Sequence, residues 1–282
     1  IVEKDKARNE DLIPAFKNIK SEESLLEYHK PILIRCKKCI LPETMPFITF
    51  NEAGVCNYCS NYQIRNKPKP TSELFGLVEP YRREKGADCI VPFSGGRDSC
   101  YGLHLIVNEL KMNPITYTYD WGMVTDLARR NIARVCGKLG IENIIVAANL
   151  HWKRKNIKQN ILAWLKNPEL GMIPLFMAGD KYFFYHCSKL KEDTGIDLNI
   201  WGENPLENTD FKSGFTGIKP DFDKKFIYSL RNSDKAKLFS FITGQVIGNP
   251  DYINSSSLET LGSFFVRYFY PKEHYFRFWI SI

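Results

Sequence analysis

The sequence predicts an α/β protein: a doubly wound parallel sheet with a small N-terminal zinc ribbon and a mostly helical C-terminal segment. Three observations carry this expectation. Between Asp88 and Trp201, short apolar runs alternate with stretches of helical spacing, and strands separated by helices pair in parallel through right-handed crossovers. Upstream, two Cys-x-x-Cys pairs lie in a segment rich in turn residues. Beyond Gly202 the alternation stops and the chain becomes rich in Lys, Phe and Tyr. The expected boundaries are 1–66 for an N-terminal arm and the cysteine unit, 67–205 for the α/β core, and 206–282 for the C-terminal segment.

Residues 1 to about 30 are charged and weakly periodic, as in a helix or an arm. Lys67-Pro68-Lys69-Pro70 reads as a linker, because consecutive X-Pro units resist both helix and central strand. A short helical stretch follows over Ser72–Lys85. The first strand is expected over Asp88–Phe93. Leu103, Ile106, Val107 and Leu110 recur at helical spacing within Ser99–Lys111. Pro114–Tyr119 is the second strand. Thr125–Leu139 is an amphipathic helix with Gly140 placed to end it. Asn143–Ala147 is the third strand, Lys155–Lys166 and Pro174–Thr194 are helical, and Leu198–Trp201 is the fourth strand.

With 282 residues, the chain is long enough for a full α/β domain and an accessory unit. No apolar run approaches the ~20 residues that span a bilayer, and no signal-peptide pattern opens the sequence. The absent initiator Met and the apolar close at Phe276–Ile282 lead us to expect a longer native chain. The net charge of +7 suits a polyanionic ligand such as ATP, and equally RNA or an anionic membrane face. Lys153-Arg154-Lys155 reads as a solvated helix face. Eight cysteines without a secretory signal place the chain in the reducing cytoplasm.

The strand ending at Phe93 runs directly into Ser94-Gly95-Gly96-Arg97-Asp98-Ser99 and then into a helix. Adjacent glycines let backbone N–H groups turn toward a ligand. The helix start supplies further N–H donors and the positive end of its dipole. Ser94 and Ser99 add hydroxyls, Asp98 is a candidate to cap the helix and hold Mg²⁺, and Arg97 is a candidate phosphate contact. The plain reading is a Gly-Gly turn capped by Asp98 and Ser99. No Gly-Lys-[Ser/Thr] follows, so this is not a Walker A loop. The six residues resemble the pyrophosphate loop, SGGxDS, of the adenine nucleotide α-hydrolase superfamily, whose members cleave ATP between the α and β phosphates. Phe93 to Ser99 are therefore nucleotide-binding candidates. In such a sheet the ligand sits at the carboxyl ends of the strands, so adenine is expected near Tyr119 and Asp120; Tyr119 reads equally as a core aromatic.

Cys36-x-x-Cys39 and Cys56-x-x-Cys59 stand sixteen residues apart. That spacing fits a closed, structural four-thiolate zinc site, with Lys37 and Lys38 to offset its negative charge. Redox cysteines and an iron–sulfur cluster are the alternatives. Cys89, Cys100, Cys136 and Cys187 are scattered through segments that read as core.

The string Arg35-Cys36-Lys37-Lys38-Cys39-Ile40-Leu41-Pro42-Glu43-Thr44-Met45-Pro46, with Gly54-Val55-Cys56-Asn57-Tyr58-Cys59, resembles the opening of the N-acetyl sugar amidotransferases of surface-polysaccharide and nonulosonic acid biosynthesis. Arg130-Asn131, Gly179-Asp180-Lys181 and Trp201-Gly202-Glu203-Asn204-Pro205 agree with it. The resemblance implies amidine formation: ATP adenylates the acetamido oxygen of a nucleotide-linked N-acetyl sugar, and ammonia replaces AMP. It implies ATP, Mg²⁺ and Zn²⁺ as cofactors. Its implied partners are an ammonia-supplying glutaminase and a cyclase-like subunit, with no stable nucleic-acid partner. Glu203 is a candidate to bind Mg²⁺ or orient ammonia, and Asn204 has the same status; each also reads as a cap or turn residue. Asp98, Glu203 and Asn204 are thus the catalytic candidates. Asp180 and Lys181 read as a surface pair or as site residues, and His151 and His186 as lone structural histidines. Two other functions share the loop: a tRNA-thiolating enzyme, for which Cys100 is the candidate sulfur carrier, and a non-catalytic nucleotide-binding subunit of a glutaminase complex.

Overall fold

The structure, a computed structural model, describes residues 32–63, 70–173, 183–202, 211–223, 231–258 and 275–277. The chain divides into two compact units. One gathers Ile1–Asn66, Gln159–Phe176 and Asn208–Tyr252, and the other Lys67–Lys158, Met177–Glu207 and Ile253–Ile282.

The second unit holds a parallel sheet. Its strands are β1 (Cys89–Pro92), β2 (Pro114–Asp120), β3 (Asn143–Ala147), β4 (Leu198–Trp201) and β5 (Tyr275–Arg277), in the order β3-β2-β1-β4-β5. Cys89 pairs with Pro114 on one side and Leu198 on the other, and Thr116 pairs with Asn143. β2 is buried along its whole length, as an internal strand covered on both faces must be. The four expected strands are present. A fifth, not read from the sequence, joins the edge from within the mostly helical C-terminal segment: Asn199 and Ile200 of β4 pair with Tyr275 and Phe276 of β5. Local helical pattern cannot report a pairing across more than seventy residues.

Helix α1 (Asn57–Ser60) belongs to the cysteine unit, and α2 (Thr71–Val78) precedes the sheet. The helix expected over Ser72–Lys85 ends early and continues as one 3₁₀ turn, Glu79–Tyr81. Helix α3 (Arg97–His104) passes into a π-helical turn, Leu105–Glu109. Helix α4 (Asp126–Leu139) opens with Thr125, whose hydroxyl accepts from the Ala128 N–H, and closes at Gly140 with φ +67°. Both ends follow from residue type: a Thr N-cap and a left-handed Gly. Leu103 and Ile106 from α3 and its π turn pack with Ile132 and Cys136 of α4 on one sheet face, over Val91 and Phe93. Helix α5 (Leu150–Lys166) starts five residues before the expected Lys155, because Asn149 Oδ1 accepts from the Trp152 N–H and caps it. Helix α6 (Phe183–Thr194) covers the other face, where Phe184 and Cys187 pack on Tyr117, Tyr119 and Trp201. The sheet is therefore doubly wound.

In the first unit, Cys36, Met45, Ile48 and Cys56 form a small core. Tyr58 packs edge-on against Phe222, with ring centroids 5.5 Å apart, and its hydroxyl donates to Pro46 O. A second cluster joins Ala163, Trp164, Met172 and Tyr252, with Phe241 from α8 (Asn232–Gly248) against it; a short helix, α7 (Phe211–Gly214), lies between. Among the described residues, no helix is long and apolar enough to cross a membrane.

Candidate functional site

The strand order reverses at β1: the chain runs outward through β2 and β3, then returns to place β4 on the other side. Ligands of such sheets bind at the carboxyl ends of the strands at this switch point, and the residues that follow β1 there are Ser94 to Ser99.

Their backbone is held from several directions. The Phe93 N–H donates to Tyr117 O at 2.7 Å, and Thr118 Oγ1 donates to Phe93 O at 2.7 Å. Phe93 itself is core, 2% exposed, so it serves the loop through its main chain. Gly95 has φ +72° and is buried. A Cβ there would stand 2.5 Å from Ala128 O and 2.9 Å from Ile132 Cγ1. Asn131 Nδ2 donates to Gly95 O at 3.1 Å. Gly96, at φ −76° and ψ 166°, is the N-cap of α3, and its carbonyl takes the Cys100 N–H. Asp98, expected as the cap, sits instead in the first helical turn and meets Arg97 Nε at 3.3 Å.

Ser94 Oγ lies 3.0 Å from Ser99 Oγ and 3.3 Å from the Gly96 N–H, and Ser99 Oγ donates to Gly96 O. The N–H groups of Arg97, Asp98 and Ser99 begin a helix and have no acceptor among the described residues. Ser94, Gly96 and Arg97 are exposed. The result is an open, anion-accepting mouth of amides and hydroxyls, with one carboxylate, Asp98, at its edge. On the other side, Gly202 follows β4 and rides on α3. A Cβ on Gly202 would be 3.5 Å from Asp98 O, and one on Gly102 would be 3.4 Å from Gly202 Cα.

Tyr119 and Asp120 end β2. Asp120 is 9% exposed, and both its carboxylate oxygens are engaged: Oδ1 accepts from the Gly122 N–H at 2.9 Å, and Oδ2 pairs with Arg129 Nη2 at 2.7 Å. Arg154 closes the same turn by donating through Nε and Nη2 to Gly122 O, each at 3.2 Å. Asp120 therefore shapes the turn beside the loop. Tyr119 is buried, its ring 5.0 Å from that of His186 on α6.

Lys153 corrects the solvated-face reading of its cluster. It is 5% exposed, whereas Arg154 and Lys155 are exposed, Lys155 over the Trp152 ring. Burial brings its ammonium down to about 8, and burial together with the Lys153 charge lowers His186. The pattern that reveals it is the buried polar stripe of Lys153, Asn156 and Asn160 at helical spacing. Asn156 Nδ2 donates to Ser255 Oγ and Ser256 Oγ at 2.7 and 3.1 Å. His151 is exposed, beside Trp152. Glu203, Asn204, Asp180 and Lys181 lie outside the described residues.

The four N-terminal cysteines converge. Their Sγ atoms all lie within 4.8 Å of one another, with Cys39–Cys56 at 3.6 Å and Cys36–Cys59 at 3.9 Å. Four thiolates about 2.3 Å from one central ion would stand about 3.8 Å apart in a tetrahedron, so the cage fits a single ion. Burial raises the Cys36 thiol, but N–H donation from Cys39, Cys56 and Lys38 outweighs it and brings it to about 6. Cys59 is pushed up to about 12 by burial and by the surrounding thiols of Cys39, Cys56 and Cys36. Four sulfurs this close cannot all ionise without a cation among them. Outside the cage, burial raises Cys89, Cys100 and Cys187. Cys100 packs against the α3–α4 core cluster.

No known family profile matches the chain, and no curated protein matches it. Several solved structures are similar to it in fold. One is an NH3-dependent NAD synthetase from Campylobacter jejuni, with a TM-score of 0.34 and 14% identity, covering 70% of this chain and 94% of that one. A second is the U34-tRNA thiolase NcsA from Methanococcus maripaludis with its [4Fe-4S] cluster, with a TM-score of 0.33 and 16% identity over 82% of this chain and 80% of that one. An NMN synthetase from Francisella tularensis has a TM-score of 0.34 and 10% identity, over 70% and 92% respectively.

Proposed function

We propose that the chain is an AMP-forming ATP pyrophosphatase that makes amidines: an N-acetyl sugar amidotransferase. The observation that carries the reading is the loop Ser94–Ser99, a left-handed glycine, two facing hydroxyls and three unengaged helix-start amides at the switch point of the sheet. Preorganised N–H groups are what a departing pyrophosphate requires, since charge gathers on its oxygens. The acetamido oxygen of a nucleotide-linked sugar attacks the α phosphorus and pyrophosphate leaves. Ammonia from a partner glutaminase, working with a cyclase-like subunit, then adds to the amide carbon, AMP departs and one proton is lost. The sugar acceptor rests on the resemblance of the cysteine segment and of the Gly202–Asn204 stretch. Asp98 is the described carboxylate at the loop that could hold Mg²⁺, which would neutralise phosphate charge when bound; Glu203 and Asn204 are proposed to act beside it.

The cysteine cage is proposed to hold one structural zinc ion. Its sulfurs are spaced for a single tetrahedral ion, closer together than cysteine sulfurs bound outward to the separate irons of a four-iron cluster. The packed position of Cys100 argues against its carrying sulfur to a tRNA base.

The test is pyrophosphate release from ATP in the presence of ammonium, or of glutamine and the glutaminase partner, with a panel of nucleotide-linked acetamido sugars. Release that depends on both ATP and one such sugar is expected. Absence of release with every acetamido sugar would sink the amidotransferase reading, and release that requires tRNA and a sulfur donor would replace it with thiolation.

A further inference from the structure

We propose that Asn131 is a positioning residue that sets the direction of the Gly95–Gly96 peptide, and with it the polarity of the loop. The proposal rests on the reading of Ser94–Ser99 as a phosphate loop.

A trans peptide points its C=O and its N–H in opposite directions. Gly95 O is directed at α4, where Asn131 Nδ2 meets it at 3.1 Å. The Gly96 N–H of the same peptide therefore faces the other way, into the mouth, where Ser94 Oγ lies at 3.3 Å. Reversed, this peptide would present a carbonyl oxygen to the ligand, and the site would repel phosphate instead of attracting it. Two flanking glycines make that reversal cheap, since neither has a Cβ to forbid the alternative dihedrals.

The wall behind Gly95 does not favour the observed direction by itself. The carbonyl oxygen of Ala128 is the atom nearest to where a Gly95 Cβ would stand, at 2.5 Å. A second carbonyl turned toward that wall is unfavourable unless a donor stands between. Asn131, half-buried and three residues on from Ala128 in α4, supplies it. Of the remaining contacts of the loop, Ser99 Oγ to Gly96 O and Cys100 N to Gly96 O fix the following peptide, while the Gly96 N–H to Ser94 Oγ at 3.3 Å engages the amide end of this one and Asn131 its carbonyl end.

The experiment compares the full chain with Asn131→Leu, close in size but without a donor and without added charge, and with Asn131→Gln, which keeps the amide. Calorimetric binding of inorganic pyrophosphate and of ATP, thermal melting and the backbone amide signal of Gly96 are recorded for each. The expected result is pyrophosphate and ATP affinity about tenfold or more weaker in Asn131→Leu, as for loss of one well-placed polar contact. The Gly96 signal should shift while the melting temperature stays within about 3 °C, and Asn131→Gln should recover part of the affinity. Unchanged affinity in Asn131→Leu overturns the proposal. If Asn131→Leu melts early, Asn131→Ala is measured at a temperature where it is folded, and unchanged affinity there overturns it equally. A wild-type chain that binds neither pyrophosphate nor ATP instead refutes the loop reading, and the positioning role falls with it.

Discussion

A Cβ placed on Gly95 would lie 2.5 Å from the carbonyl oxygen of Ala128. That atom is helix backbone and cannot swing aside, and Gly95 already holds φ +72°. Gly95→Ala is therefore expected to lose at least about 2 kcal/mol, left-handed strain alone accounting for about 1–2 kcal/mol, and to lose nucleotide binding. Gly96→Ala is the control: its φ of −76° suits any residue, and its nearest neighbour is Ser94 Oγ at 3.3 Å. It should stay within about 0.5 kcal/mol of wild type in stability while its methyl obstructs the phosphate site. Urea unfolding and ATP calorimetry on the two variants check the contrast.

Removing Arg129 and removing Asp120 should differ. Arg129 is half exposed, so Arg129→Ala is expected to cost no more than about 1 kcal/mol. Asp120 is buried and also accepts the Gly122 N–H. Asp120→Ala strands that amide and the Arg129 fork together, and about 2–3 kcal/mol is expected. Equal losses in denaturant titrations would show that the carboxylate does not organise the turn.

Lys153 makes stability depend on alkaline pH. Its ammonium, ordinarily near 10.5, titrates at about 8 in the fold. Between those values the unfolded chain binds more protons than the folded one, so this group's contribution to stability rises with pH across that window. Below about 8 both states are charged and the penalty of burying the charge is felt in full. Lys153→Met should lack the rise, and the gap between its melting temperature and that of wild type should change in favour of wild type from pH 8 to 10. Parallel melting curves of the two proteins would show the Lys153 assignment to be wrong.

Metal removal has a countable outcome. The four cage thiols should resist alkylation while the ion is bound, and a chelator should expose four more reactive thiols per chain under native conditions. Metal analysis should find one zinc per chain, and acid should release it, because protonated thiols do not ligate. Iron in place of zinc would refute the assignment of the ion.

What could be read from the sequence was local. Phe93 to Ser99 carries its own context, a strand before and a helix after, and the two cysteine pairs carry their spacing. What could not be read depends on distant partners. The sequence places Asp120 near the nucleotide, but its part in the turn, with Arg129 one helix later and Arg154 beyond the next strand, is not written in any local pattern. Lys153 was masked by its cationic neighbours, although Asn156 and Asn160 at three and seven residues on mark the buried side of the helix. The strand at Tyr275–Arg277 pairs with residues more than seventy positions away, and no periodicity announces that.

The order of strands also sets the order in which a nascent chain can complete its parts. β1, β2 and β3 emerge consecutively from residues 89–147, whereas β4 arrives at 198–201 and β5 at 275–277. A chain leaving the ribosome can therefore assemble the β3-β2-β1 half-sheet, with α3 and α4 on it and the Gly95 peptide in place, while the far edge of β1 is still bare. Only when β4 docks does Gly202 settle on the start of α3. Half of the site is thus an early product of translation and the other half a late one, and a ribosome-bound chain halted before β4 would carry the loop without its second wall.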